Sequence, residues 1–587
     1  MMQRKGNNPR QAATTLSKGR DGTRKRRKTR RSKMTILDFI VGAILFIIFG
    51  SFMYELGVIQ SEHSSPSKTV ENKGDANKVE PVKENNSDNG GVSKAIKQNL
   101  RKDTTNDQPH LVPQAPYLPI FSKIENSDNL ILDVLSGRKP TIAGIIALLQ
   151  AYIAELHDKN MELAKKKADG DEIIDTFFEL TKKHIAPFEE AYRDKPVFPI
   201  RDDESIFLSL AAFREHLLAD TLMYAFDNAK YPDKLFVGAV VQNCFGKVNS
   251  DGTVDASGKP CRTGAQVIGK NKAGKDMTRV SDAPVDKNGI SDFCTNPKYE
   301  KYCKAGQVRA LYVHETESLG PAMARYHASK LWGGETYFVQ TDAHLQFAVE
   351  WDEKYRNELK ATSNFPKSIL SSYPPGFNPG NGNSVTESHG ARLCTCETNK
   401  LDPNPIIRIN AGKGYTGNEP KPTQIPFVAA GFFFARAEFL IDVPFDPYIP
   451  WCFMGEEIAL SLRSWTHGWN IYAPRKNLIA HQYRPGRMGL PKFWGSVGRL
   501  YGKPGMNNKL QGTVIMRIKN LSGYPIARTE KLKELDIEFV LTDLEHYGLG
   551  DTRSREEYME FASISVDEEN DALQCHRNVW CNNGLKD

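Results

Sequence analysis

Residues 205–243 read SIFLSLAAF, REHLLADTLMYAFDNA, KYPDK and LFVGAVVQN. The first and last segments are apolar runs of strand length, and the second repeats its apolar residues at helical spacing. Two strands joined through a helix pair in parallel, because only a crossover of that length can return the chain to the same end of the sheet. A parallel pair must be covered on both faces. This unit therefore commits the chain to an α/β domain. The alternation resumes with VRALYVHE as a strand, GPAMARYHASKLW as a helix and ETYFVQTDAH as a strand. Between the two stretches, residues 246–307 are rich in Gly, Asp and Lys and read as a long surface insertion. No G-x-G-x-x-G follows the first strand and no Walker sequence occurs, which argues against a Rossmann oxidoreductase and a P-loop enzyme.

The formal net charge of +7 is unevenly spread, with thirteen Lys/Arg and one Asp in residues 1–33. The remainder is mildly acidic, whereas a nucleic-acid binder carries its basic footprint on the folded domain; no nucleic-acid partner is expected. The basic block leads into MTILDFIVGAILFIIFGSFMYELGVI, with no charge between Asp38 and Glu55. A helix over 34–58 is long enough to cross a hydrocarbon core of ~30 Å. The cations before it place the N-terminus in the cytosol. A cleaved signal peptide is the alternative, but it lacks a small-residue cleavage site. The expected order is a basic cytosolic tail at 1–33, a signal anchor at 34–58 and a disordered stem at 59–119. Residues 120–195 carry two helical patterns, which read as a helical stem, an N-terminal subdomain or core helices of the next domain. Residues 196–587 are expected to form the α/β domain that carries the protein's chemistry.

All nine cysteines lie beyond the anchor, where disulfides persist if that side is luminal. No pair of C-x-x-C knuckles exists, so zinc binding is disfavoured. Proximity suggests Cys294–Cys303 and Cys575–Cys581, and the odd total leaves a thiol free or intermolecular. Asn85 and Asn520 head glycosylation sequons.

The strand YFVQTDAHLQF breaks into Asp342 and His344. Side chains at i and i+2 of a strand share a side, so a carboxylate and an imidazole converge, and a divalent metal is the natural common object. Three further features accompany the pair. Arg325 sits on the preceding helix and is suited to a diphosphate. Glu456 and Glu457 open a helix after PWCF, where they could equally serve as dipole partners. His481, in NLIAHQYRP, could complete a site of one Asp and two His, or be a core histidine.

Several blocks together, LWGGETYFVQTDAHLQFAVEWDEKY, SILSSYPPGF, IPFVAAGFFFARAEFLIDVPFDPYIPWCFMGEEIALSLRSWTHGWNIYAPRKNLIAHQYR and YGLGDTRSREEYMEF, resemble the polypeptide α-N-acetylglucosaminyltransferases of glycosyltransferase family 60. The resemblance spans roughly Ile200 to Ser563. It implies a GT-A-like nucleotide-sugar-binding fold with a mixed, mostly parallel central sheet, UDP-GlcNAc as donor, a divalent metal such as Mn²⁺, and retention of anomeric configuration. It implies Asp342, His344 and His481 as metal ligands, with Ala343 in place of the usual Ser. Glu456 and Glu457 then face the acceptor, and Arg325 lies near the nucleotide. Phe207, Ser209, Gln242, Asn243 and Trp451 are the remaining substrate-binding candidates. The expected activity is transfer of N-acetylglucosamine to Ser/Thr hydroxyls of polypeptides, in a single-pass type II protein of the Golgi membrane. The alternative is a catalytically inactive, membrane-tethered binding module on the same scaffold.

Overall fold

The computed structural model describes residues 124, 126–248, 254–255, 261–379, 385–389, 391–398, 402–410, 419–483 and 490–576. All belong to one compact unit, Asn85–Asp587. The basic tail, the predicted anchor at 34–58 and the predicted stem at 59–119 lie outside the described residues. Among the described residues no helix is long and apolar enough to cross a membrane.

Eight strands form the central sheet: β1 Ile206–Phe213, β2 Leu235–Asn243, β3 Val308–His314, β4 Tyr337–Asp342, β5 Ser368–Ser371, β6 Thr423–Ile425, β7 Phe432–Arg436 and β8 Asn470–Ala473. Their order is β6-β8-β5-β7-β4-β1-β2-β3. The contacts β4–β1, β1–β2, β2–β3 and β5–β8 are parallel. Those of β7 with β4 and β5, and of β6 with β8, are antiparallel. The sheet is therefore mixed and mostly parallel, as expected. The carboxyl ends of β1 to β4 share one edge, with Ala211 beside Asp342 and Asn243 beside His314.

Strand alternation divides the core. Ile206, Leu208 and Leu210 face one cluster with Phe226, Phe293 and Trp351. Phe207 and Phe338 face the other, with Met323 and Tyr326. The N-terminal helices α1 Ser127–Leu135, α2 Ile142–Lys166, α3 Gly170–His184 and α4 Ala186–Ala191 contribute to that second cluster. Thr141 caps α2 by accepting from Gly144 N at 3.0 Å, and Asp169 caps α3 by accepting from Glu172 N at 2.9 Å, each satisfying an orphan donor of a first turn. Phe177 of α3 meets Trp451 edge-on at 5.5 Å, and Phe178 stacks on Tyr448 at 5.6 Å. These helices share their core with the sheet.

Three local expectations are corrected. The helix after β1 begins at Leu218 and runs to Asn228 as α5. Arg214 has φ 48°, and Glu215 accepts from Leu217 N at 2.9 Å, a local hydrogen bond that competes with helix formation. The insertion is not superficial throughout. Residues 289–304 make two short helices that bury Phe293 and Cys303 against α5. Cys575 is bridged to Cys396 rather than to Cys581, because it ends a strand packed beside Thr395–Thr398. Cys294–Cys303 is formed as expected, together with Cys244–Cys261. Cys394 is also disulfide-bonded, and Cys452 is free and buried. Asn520 lies in the last turn of a helix and donates to Ala527 O at 2.8 Å, so that sequon is folded into the domain.

Candidate active site

Strand β4 ends at Asp342, and the chain bends through Ala343 before Leu345–Phe347 forms a short strand. The bend, rather than the alternation of one continuous strand, brings His344 back toward Asp342. Leu345–Phe347 pairs antiparallel with Ile479–His481, placing Leu345 opposite His481. Backbone bonds from His481 N to Pro375 O at 2.9 Å and from Gln482 N to His344 O at 3.1 Å fix the junction. His481 Nε2 lies 3.0 Å from both Asp342 Oδ2 and His344 Nε2. One ligand atom from each residue falls within 4.8 Å of the others, so Asp342, His344 and His481 could hold one metal ion. Two imidazoles and a carboxylate suit a first-row divalent cation.

The charges around the triad are arranged by their neighbours. Burial alone would raise Asp342, but the His481 hydrogen bond and the charges of Arg325, His481 and His344 outweigh it and hold this carboxyl well below its usual range. Burial lowers His344 and His481, with Asp342 opposing in both cases; neutral imidazoles are the form that binds metals. Arg325, on α6 Pro321–Ser329, donates to Asp342 Oδ1 at 2.9 Å and to Glu456. Its guanidinium thus ties the Asp to the first residue of α7 Glu456–Thr466. Glu457 points elsewhere, as adjacent positions about 100° apart on a helix must. It accepts from Ala430 N at 3.0 Å and from Tyr373 Oη at 2.8 Å. Burial pushes Glu457 up to about 7 despite those two donors, and also raises Glu456 against the Arg325 charge.

Gly431 shows how closely this wall approaches the triad. A Cβ there would lie 3.0 Å from Asp342 Oδ2. Any larger residue at this Gly within VAAGFFFAR would press on the Asp342 carboxylate.

The structure thus brings Asp342, His344, His481, Arg325 and Glu456 into one connected cluster, with Glu457 on the adjoining face of α7. Gln242 and Asn243 lie at the end of β2 on the same sheet edge; Asn243 donates to Lys287 O at 2.9 Å and its Oδ1 is buried without a hydrogen bond. Ser209, four residues before the end of β1, also has a buried Oγ without a hydrogen-bond partner. Phe207 and Trp451 are not brought to the triad. Phe207 is sealed among Phe338 and Arg309 near the start of β1, and the Trp451 ring packs on α3.

Sequence reasoning missed three members. Glu215 accepts from His344 Nδ1 at 2.8 Å, which directs the lone pair of Nε2 toward the triad. Tyr373 holds Glu457, and the Tyr483 ring lies 4.3 Å from that of His481. Glu215 falls in REHLLADTLMYAFDNA, whose spacing predicts a helix, and Tyr373 stands in SILSSYPPGF without any spacing to mark it.

Residues 205–568 match the family model described as Glycosyltransferase (GlcNAc). No curated protein matches the chain. Among solved structures, GalNAc-T7 with UDP, GalNAc and Mn²⁺ is 14% identical with a TM-score of 0.34, over 61% of this chain and 56% of that one. The chain therefore spans little more than half of the GalNAc-T7 chain. Staphylococcus aureus TarS residues 1–349 are 11% identical with a TM-score of 0.28, over 64% and 97% of the two chains. The same TarS fragment with UDP is 11% identical with a TM-score of 0.27. With the family model covering most of the chain from β1 to beyond α7, this protein belongs to the GlcNAc glycosyltransferase family.

Proposed function

We propose that this protein transfers N-acetylglucosamine from UDP-GlcNAc to Ser/Thr hydroxyls of polypeptides, with retention and in dependence on a divalent metal such as Mn²⁺. The single observation that carries the reading is the convergence of Asp342, His344 and His481 at the carboxyl edge of the sheet, where ligands of open α/β sheets bind. Asp342, His344 and His481 would hold the divalent ion, which when bound would supply Lewis-acid stabilisation of negative charge on a leaving β-phosphate.

The remaining roles belong to the chain's own groups. Arg325 orients the Asp342 carboxylate and holds positive charge beside it. Glu215 fixes the tautomer of His344. Glu456 is neutralised by Arg325, whereas Glu457, bonded to the Tyr373 hydroxyl, is the carboxyl placed to hydrogen-bond the sugar or the acceptor hydroxyl. Neither Glu is paired across a bond as the two acids of a glycosidase are; that the acceptor hydroxyl enters on the face UDP leaves is what the family resemblance implies. Gln242, Asn243 and Ser209 offer polar groups for the nucleotide. With the anchor expected at 34–58, we place the catalytic domain in the Golgi lumen.

The test is UDP release from a panel of UDP-sugars with Mn²⁺ and Thr-rich peptides, alongside Asp342→Ala and His344→Ala. Metal-dependent turnover of UDP-GlcNAc that disappears in both variants is the expected result. Turnover of another donor alone would overturn the sugar assignment, and metal-independent turnover would overturn the role of the triad.

A further inference from the structure

Beyond the bridge at Cys261 the chain leaves the sheet edge as a hairpin of Gln266–Lys270 and Asp276–Arg279. Its register runs from Gln266↔Arg279 to Lys270↔Asp276, with a bulge between Val267 and Gly269. The turn is well made: Asn271 Oδ1 accepts from Ala273 N and Lys275 N, both at 2.9 Å. A two-stranded hairpin alone is marginal in water, yet this one presents three large apolar side chains to solvent. Ile268 is 59% exposed, Met277 43% and Val280 52%. Among them stand Lys270, Lys272, Lys275 and Arg279, all exposed, with Asp276 the one acid between Gln266 and Val280.

The base of the hairpin is held far more firmly than its tip. Cys244–Cys261 bridges it to the end of β2, and Cys261–Arg262 pairs with Asp282–Ala283. Buried Arg214 donates to Arg262 O at 2.8 Å and twice to Asp286, at 2.6 and 3.0 Å. The next residue is Glu215, whose carboxylate holds His344. The hairpin therefore rises from the same sheet edge as the triad, one residue away from the group that positions a ligand.

We propose that this hairpin is a docking arm for an acidic segment of the acceptor polypeptide. An open strand edge offers backbone hydrogen bonds to an extended chain, the three apolar side chains offer contact area, and four cations against one acid select a negatively charged partner. Its root is tied to Arg214, the residue next to Glu215, whose carboxylate holds His344, so a segment bound on the arm is tethered to the part of the domain that carries the triad. The inference rests on the reading of a polypeptide acceptor and names the class of sequence around the modified hydroxyl. An anionic lipid surface would satisfy the same cations and apolar groups, and the experiment separates the two.

The full chain in neutral detergent is given three Thr-rich peptides that differ only in Glu, Ala or Lys flanks, and binding is read by fluorescence anisotropy and transfer by KM and kcat. The wild type is compared with Lys270→Glu/Lys272→Glu/Lys275→Glu/Arg279→Glu and with Ile268→Ser/Met277→Ser/Val280→Ser, each checked for a thermal midpoint close to wild type. The expected result is about tenfold tighter binding and lower KM for the Glu-flanked peptide than for the Lys-flanked one, as a few exposed charge pairs supply. That preference should vanish in the charge variant, weaken in the apolar variant and shrink at high salt. Equal affinity for all flanks, or a preference that survives the charge variant, overturns the proposal. So does a hairpin-dependent affinity for micelles containing phosphatidylserine with no discrimination among peptides. Anisotropy needs no turnover, so if none of the peptides is glycosylated the docking is still decided, while the polypeptide-acceptor reading fails separately.

Discussion

At the scale of single residues the site is a chain of charges that begins at Glu215 and ends at Glu456. Because Glu215 accepts from His344 Nδ1, Glu215→Gln should lower Mn²⁺ affinity about 10–100-fold while leaving the fold intact. Free Mn²⁺ measured by electron paramagnetic resonance checks this without turnover. Glu457 sets a pH dependence. Its ordinary value of 4.5 is raised to about 7 in the folded protein, so the native state keeps a proton the unfolded state has lost. The corresponding stability is fully present below the unfolded value and is lost as pH rises through about 7. Urea midpoints of the wild type should fall between pH 5 and pH 8 more steeply than those of Glu457→Gln. Asp342, His344 and His481 were legible from their types and setting. Glu215 and Tyr373 were not, because a single acid or tyrosine carries no periodicity, and what selects it is a partner more than 80 residues away in sequence.

Among elements, the strands were the most legible. LFVGAVVQN corresponds residue for residue to β2, since a parallel strand buried on both faces must be apolar throughout. The loop between β1 and α5 was not legible, because REHLL has helical composition, and what holds it out of a helix is tertiary: Arg214 bonds Gln242 O through its backbone and Asp286 through its side chain, and Glu215 accepts from Leu217 N. The start of β7 makes the sharpest prediction at this scale. Adding a Cβ at Gly431 crowds Asp342 Oδ2 without demanding an unusual backbone. Gly431→Ala should therefore reduce kcat/KM for UDP-GlcNAc about tenfold or more, a barrier change of about 1.4 kcal/mol, with an unchanged circular dichroism spectrum. The second half of the insertion shows the opposite failure. Its Gly- and Lys-rich surroundings hid Ile290, Phe293, Tyr299 and Tyr302, which are core residues.

For the molecule as a whole, α2 and α3 belong to the apolar core that also lies under Trp451 and Tyr448. A chain beginning at Phe121 should fold cooperatively, whereas one beginning at Pro196 should be recovered insoluble or partly unfolded. Phe177→Ala should cost about 3–5 kcal/mol in chemical denaturation, the range for a large buried aromatic. The helical periodicity of 142–166 was plain in the sequence, but what the helices pack against was not, because an amphipathic stripe records burial and not its partner.

The bridge between Cys396 and Cys575 spans 179 residues, and Glu456, Glu457 and His481 all lie inside that span, while Asp342 and His344 lie outside it. Glu456, Glu457 and His481 thus ride on a covalent ring, and Asp342 and His344 on the linear chain that leads into it. A single proteolytic nick within the ring leaves both fragments attached, so a clipped molecule migrates intact on a non-reducing gel and separates only after reduction.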